Sequence, residues 1–339
     1  MSTIADPLTA GLAAVDKNNG RKELRYIDIG INLTDPVFRG NYHGKQVHEN
    51  DFDALLQRAL EAGCRKFMVT GSDLKESEHA VEIAKAHSGF CYATIGVHPC
   101  SATQFSSHPN GPSSYLSSLH NLATTSQAAG HAVAFGEIGL DYDRLSLCPK
   151  ETQLEYFDKQ LDLAAEIGMP LFLHMRAAMD DFERILRKGE DEEEAGRWGK
   201  LRRKGGLVHS FTGTMEEMRR VLDLGFDVGI NGCSMKTEEN VAVVREVPLE
   251  RLQIETDGPW CEMRPSHASA KFLEGAPSLP KAVKKEKWSQ EFMVKGRNEP
   301  CAISQVAWAI AKIKGVEVEQ VCEAAWNNSI SMFGLGEKA

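Results

Sequence analysis

The chain has no pair of cysteines in a C-x-x-C spacing, although eight cysteines are spread between Cys64 and Cys322. That absence argues against a zinc knuckle or a thioredoxin-like redox centre and leaves scattered free thiols of a reducing compartment. No apolar run approaches the roughly 18 residues that a membrane span needs. There is no G-x-x-x-x-G-K-[ST] loop, which excludes nucleotide hydrolysis of the P-loop kind, and no G-x-S-x-G nucleophile elbow. An excess of positive charge is also missing. With 39 Lys and Arg against 48 Asp and Glu, the net charge is −9. The surface as a whole is therefore not built to coat duplex DNA, although one local basic groove remains allowed. The first 20 residues lack a basic start followed by an apolar block and carry Asp6 and Asp16, which argues against a transit peptide. Residues 1–24 read as a loose extension of a cytosolic or nuclear protein.

What is present is a regular alternation. Short runs rich in Val, Ile, Leu, Phe and Ala predict buried parallel strands at 25–31, 66–71, 91–97, 132–139, 170–174, 206–210, 226–230 and 252–256. Helical patterns lie between them at 51–62, 77–87, 114–129, 152–167, 177–188, 215–224 and 238–246, and two more follow at 302–314 and 317–330. Strand and helix alternating eight times predict an α/β fold with a parallel sheet and crossovers. A (β/α)₈ barrel is the economical arrangement and an open doubly wound sheet the alternative. About 250 residues suffice for such a barrel, so 25–335 reads as one domain.

Two stretches break the rhythm. Residues 189–204, GEDEEEAGRWGKLRRK, follow an acidic block with a basic one and predict an exposed loop insertion. Residues 261–298 form a second insertion after the eighth strand. Within it, 281–297 carry six basic and two acidic side chains, a net of +4, with Trp288 and Phe292 interleaved. Cations beside aromatic rings are how single strands of nucleic acid are held, so Lys284, Lys285, Lys287 and Trp288 are candidate strand contacts.

Polar residues interrupt the strand ends. They are Glu137 in GEIGLD, His174 in LHMR, His209 in HSFTG and Asp257 in ETDGP, at successive spacings of 37, 35 and 48. Barrel units of this length place all four on one rim. Two imidazoles and two carboxylates make a mixed N/O site suited to Zn²⁺ or Mn²⁺, and to Mg²⁺ if waters complete the shell. His98, in GVHP at the third strand end, is a candidate phosphate contact or proton donor. Asn32, in GINLTD after the first strand, offers a carbonyl oxygen to a metal or its water.

The strings IGINLTD, TGSDLKES, GVHP, GEIGLDYDR, LHMR, HSFTGT, ETDGPW and RNEP, in this order, resemble the TatD family of metal-dependent deoxyribonucleases. The resemblance runs from about Tyr26 to Gly334. NGCSMKTEEN and KWSQEFMVKGRNEP are similar to the eukaryotic cytosolic branch. It implies an amidohydrolase-like TIM barrel and a 3′→5′ exonuclease on DNA, with a role in DNA repair or fragmentation. By the same resemblance Glu137 is the metal-bridging carboxylate, and His174 and His209 are histidine ligands. Asp257 is a further ligand and the base that deprotonates water, and His98 lies near the scissile phosphate. Many members carry a His-x-His pair on the first strand, where this chain has Gly30 and Asn32. That departure favours an exchangeable hard ion, Mg²⁺ before Mn²⁺ or Zn²⁺, with one or two ions per chain. His98, Arg176 and Arg297 are candidates to hold phosphate oxygens. The expected partner is single-stranded DNA or a frayed 3′ end, bound by a monomer with no membrane involvement. Two rivals stay open: a small-molecule amidohydrolase or esterase on the same barrel, and a DNA-binding barrel without catalysis.

Overall fold

The computed structural model describes residues 24–191 and 196–337. Residues 1–23 of the expected extension and 192–195 of the expected first insertion lie outside the described residues. Strands β1 (Tyr26–Ile31), β2 (Cys64–Val69), β3 (Cys91–Ile95), β4 (Ala132–Asp141), β5 (Leu171–Arg176), β6 (Gly206–Val208), β7 (Asp227–Ile230) and β8 (Leu252–Ile254) pair in parallel in sequence order. A doubly wound sheet would reverse its strand order part way. This sheet does not, and its two edges meet. The Asp257 N–H donates to the Gly30 carbonyl at 2.8 Å and the Asn32 N–H to the Gly258 carbonyl at 3.0 Å. Asp28 clasps the same seam, accepting from the Thr256 N–H at 2.9 Å and the Thr256 hydroxyl at 2.5 Å. Burial pushes the Asp28 carboxyl up to about 8.

The principal helices are α1 (Phe52–Glu61), α2 (Leu74–Ala86), α3 (Gly111–Ala128), α4 (Lys150–Ile167), α5 (Met179–Leu186), α6 (Arg197–Lys204), α7 (Met215–Asp223), α8 (Glu238–Glu246), α9 (Ile303–Lys314) and α10 (Val318–Phe333). Their starts follow from capping chemistry. Asp73 accepts from the Glu76 N–H at 2.8 Å, which begins α2 three residues before the expected Ser77. Thr214 and Thr237 open α7 and α8 with reciprocal capping boxes. None of the described helices is long and apolar enough to cross a membrane.

The apolar core has two layers. A large one lies between the sheet and the surrounding helices. A smaller one fills the barrel interior with Ile27, Ile29, Met68, Tyr92, Ala134, Phe172 and Leu207, and α10 closes it from below with Trp326, Ile330 and Phe333. Between β4 and β5 the backbones approach so closely that side chains are excluded. A Cβ on Gly136 would stand 2.0 Å from the Phe172 carbonyl oxygen, and one on Gly139 1.8 Å from that of His174. The glycines flanking Glu137 thus set how deeply β4 presses against the strand that carries His174.

The described parts of both expected insertions are ordered. In place of an exposed loop, Arg197–Lys204 is helix α6, which buries Trp198 and Leu201. Only two apolar residues at i and i+3 mark that face, too few to show a helical period among so many charges. Arg197 anchors it, donating to Asp158 at 2.5 Å and Asp162 at 2.9 Å. The second insertion folds against the loop that follows β1. Ala282–Val283 pairs with Met293–Val294, the Trp288 ring stacks on His48 at 4.8 Å, and Arg58 of α1 donates to the Gln290 carbonyl at 3.1 Å.

Candidate active site

Four strand ends deliver polar side chains to one rim of the barrel. Glu137 stands on β4 and His174 on β5, while His209 follows β6 by one residue and Asp257 follows β8 by three. Ser210 and Asp257 have φ of +47° and +52°, in the left-handed region that non-glycine residues seldom occupy. Such strain is held only where the surroundings over-determine it. Here, backbone pairing across the barrel seam fixes Asp257, and Ser210 donates its N–H to the buried Glu255.

The centre of the rim is one oxygen. Glu137 Oε1 lies 2.6 Å from His209 Nε2, 2.9 Å from His174 Nδ1 and 3.4 Å from His98 Nε2. Burial pushes the Glu137 carboxyl up, but the His209 and His98 rings and the two histidine hydrogen bonds outweigh it and hold it well below the usual range. For His209, burial opposes the charge, and Glu137 and Glu255 overcome it and raise the ring well above its ordinary value. His174 is raised in the same way by Asp141 and Glu137 against burial.

This donor set fits a divalent cation. Ligand atoms about 2.1 Å from a shared ion stand roughly 3 Å apart, as His174 Nδ1 and His98 Nε2 do from Glu137 Oε1 at 2.9 and 3.4 Å. Among the described residues His98, Glu137 and His174 form one group close enough to share an ion, and His98, Cys100 and Asp141 form another. A cation would replace the imidazole protons that face Glu137.

Asp257 lies beside this group. It accepts from Asn32 Nδ2 at 3.1 Å, from the Ser210 hydroxyl at 3.3 Å and from the Cys261 thiol at 3.2 Å. Burial pushes its carboxyl up to about 6, with Glu255 and Glu137 adding to the rise and His209 opposing it. Asn32 is brought to the site but not as expected. Its amide nitrogen, rather than its carbonyl oxygen, faces Asp257, because a carboxylate attracts donors. His98 is brought to the same rim. Burial pushes its ring down to about 4, with His174 and His209 adding to the fall, so it is neutral near pH 7. Its Nδ1 accepts from the Cys100 N–H at 3.0 Å, which leaves Nε2 to carry the proton toward Glu137. It can donate a hydrogen bond but not a charge.

Arg176, at the end of β5, is half-buried and its Nε has no protein partner. It lines a cleft of about 400 Å³ with Asp141, Asp143 and Arg144, and a second of about 740 Å³ with Thr212 and Asn240. Arg297 is corrected. It is 3 % exposed, paired with Asp51 and with Glu299 at 2.8 Å, and donates to the Val37 carbonyl at 2.8 Å. Both of its terminal guanidinium nitrogens are engaged inside the protein and the side chain is buried, so it does not reach phosphate. Trp288 has its ring against His48, while Trp260, three residues after Asp257, is 57 % exposed at the rim. Lys284 and Lys287 are exposed, and the Lys285 ammonium sits over the Tyr42 ring at 4.6 Å.

Sequence reasoning missed Asp141 and Glu255 as site residues. Asp141 Oδ2 lies 3.2 Å from His174 Nε2, and Glu255 Oε2 lies 3.4 Å from His209 Nδ1. Both stand in strings already singled out, GLD and ETD. The period-2 alternation relating 137 to 141 and 255 to 257 is the signal that could have found them. Gly30 has a steric reason as well. A Cβ there would stand 2.1 Å from Glu255 Oε2, so the buried carboxylate occupies the space a side chain at position 30 would need.

Comparison with known proteins places these features in context. Residues 27–334 match the family model described as TatD related DNase. The chain is 48% identical over 313 residues to the Schizosaccharomyces pombe protein named Deoxyribonuclease Tat-D, covering 92% of this chain and 96% of that one. It is 32% identical over 311 residues to the Pantoea ananatis protein named 3′-5′ ssDNA/RNA exonuclease TatD, covering 91% and 99%. Among solved structures, an uncharacterized amidohydrolase from Saccharomyces cerevisiae superposes with a TM-score of 0.84 at 36% identity, covering 92% of this chain and all of that one.

Proposed function

This chain belongs to the TatD-related DNase family and is a metal-dependent hydrolase of DNA phosphodiester bonds, and we propose that it shortens single-stranded DNA from the 3′ end. The observation that carries the site assignment is the convergence of His174 Nδ1 and His209 Nε2 on Glu137 Oε1, with Asp257 beside them on the same rim. The 3′→5′ direction is supported by the name of the Pantoea relative.

Glu137, His174 and His209 would hold a divalent ion, with Asp257 as a further ligand on the Asn32 side. When bound, that ion supplies Lewis acidity toward a phosphodiester oxygen and toward water. Mg²⁺, which keeps several waters in its shell, suits the Asp257 carboxylate and the absence of a side-chain ligand at Gly30. Asp257 takes the proton of the attacking water. Its elevated pKa suits a base working near neutrality, and Asn32, Ser210 and Cys261 hold its carboxylate in place. Arg176 holds a phosphate oxygen through the guanidinium that finds no complete set of partners in the protein. His98 donates from Nε2 as a neutral ring.

Recognition is led by phosphate and stacking, with Lys284, Lys285 and Lys287 guiding the strand, and is poor in sequence. The protein acts as a monomer in the cytosol or nucleus, in the repair or fragmentation of DNA. The test is a 5′-labelled single-stranded oligonucleotide incubated with Mg²⁺ or with EDTA. A ladder shortening from the 3′ end and abolished by EDTA is the expected result. Shortening from the 5′ end or internal nicking would overturn the direction. An oligonucleotide left intact with both Mg²⁺ and Mn²⁺ would overturn the substrate and point to a small-molecule ester or amide.

A further inference from the structure

The two imidazoles that face Glu137 each have a buried carboxylate behind them. His174 turns Nδ1 to Glu137 at 2.9 Å and Nε2 to Asp141 at 3.2 Å. His209 turns Nε2 to Glu137 at 2.6 Å and Nδ1 to Glu255 at 3.4 Å. The rings use opposite nitrogens, yet the arrangement is the same: one face to the centre, the other to an acid.

Glu255 is the more telling of the two acids. It is completely buried. Its Oε1 accepts from the Ser210 N–H and from Asn231 Nδ2, the latter at 3.2 Å. Among the described residues neither its Oε2 nor His209 Nδ1 has another hydrogen-bond partner, and the two atoms face each other at 3.4 Å. The nearest side-chain space is cleared by glycines, since a Cβ on Gly30 would reach within 2.1 Å of Oε2 and one on Gly229 within 3.3 Å of Oε1. Burying a carboxylate is costly unless it is paired. Here the pairing is with one ring nitrogen.

We propose that Glu255 and Asp141 are positioning residues that decide which nitrogen each histidine presents to the metal. The inference rests on the reading that Glu137, His174 and His209 hold the ion. A carboxylate oxygen only accepts, so the nitrogen facing it must carry a hydrogen. The opposite nitrogen is then the one that gives up its proton and offers a lone pair. A bound ion would take the place of the inner proton, while the outer proton stays on the acid side. Gly30 belongs to the same device, because any side chain there would push Glu255 off His209.

The test is Glu255→Gln. The amide oxygen can still accept from Ser210 and Asn231, but its NH₂ now faces His209 Nδ1, which must accept. The proton moves to Nε2 and blocks the ligand position. Mn²⁺ affinity measured by calorimetry should fall about 10–100-fold with the urea unfolding midpoint unchanged. In the Mg²⁺-saturated protein, long-range ¹H–¹⁵N spectra should place the His209 proton on Nδ1 in the parent and on Nε2 in the variant. Gly30→Ala displaces the carboxylate without altering its chemistry and should weaken Mn²⁺ binding likewise. Asp141→Asn should do the same through His174. Wild-type Mn²⁺ affinity and an unchanged His209 tautomer in Glu255→Gln would overturn the proposal. His209→Ala separates the two readings: if it loses Mn²⁺ binding while Glu255→Gln does not, only the positioning role fails. If His209→Ala binds Mn²⁺ normally, the ligand assignment itself fails.

Discussion

The two ends of this barrel are built from the same eight strands and carry opposite chemistry. Where the strands begin, Ile29, Met68, Phe172 and Leu207 fill the interior, and Trp326 and Phe333 of α10 seal it. Where they end, Glu137, His174, His209 and Glu255 are nearly as buried but ionisable. The apolar end is stabilised by area removed from water and tolerates no vacancy. The polar end is stable only because each group answers another, proton for lone pair. The difference teaches where folding and chemistry reside, and it can be broken from either side.

The largest effect should come from the polar end. His174→Ala and Asp257→Ala should each lower turnover on a single-stranded oligonucleotide by roughly 10³-fold or more, since several kcal/mol of charge stabilisation go with the ion. Their unfolding midpoints should move little, and normal turnover in either would sink the assignment. At the apolar end Trp326→Ala should cost about 3–5 kcal/mol of stability in urea titrations. Turnover per folded molecule at 25 °C should be unchanged, and a loss of turnover without a loss of stability would erase the distinction between the ends.

Two arginines sharpen the same contrast. Arg297→Ala removes one of the two arginines that pair with the buried Asp51 and Glu299, Arg58 being the other, and should cost about 3–5 kcal/mol. Arg176→Ala should leave stability within about 0.5 kcal/mol and raise KM for the oligonucleotide about tenfold, the loss of one charged hydrogen bond. An exchange of these two outcomes would reverse their roles. A pH-dependent effect lies at the seam, where Asp28 is raised from an ordinary 3.8 to about 8 by burial. Between those values the unfolded chain is ionised and the folded one still holds the proton. The native state thus binds more protons, and its stability falls as pH rises from about 4 to about 8. Asp28→Asn should flatten that fall, measured as unfolding midpoints at pH 5 and pH 8.

How much of the site was legible depends on what a strand end shows in sequence. Glu137, His174, His209 and Asp257 stood out because each interrupts an apolar run at barrel-unit spacing. Asp141 and Glu255 lie in the same strings but do not stand out, since sequence does not say which ring nitrogen they meet. Arg297 looked like a phosphate fork because it sits in a basic, aromatic stretch. Its true partners are Glu299, two positions on, and Asp51, brought in by packing from 246 positions away. Helix α6 was hidden because its buried face is only Trp198 and Leu201.

The sequence by itself determined the eight parallel strands, most of the helices between them, and the four polar strand-end residues with their common rim. Those follow from period, spacing and residue type, which are local properties of the chain. Only the tertiary structure decided which atoms face one another. It turned His174 and His209 so that different nitrogens meet one oxygen. It made His98 neutral by burial and spent Arg297 inside. It also placed Glu255 in the space that Gly30 leaves. Burial, orientation and charge pairing between distant residues exist only once the barrel closes.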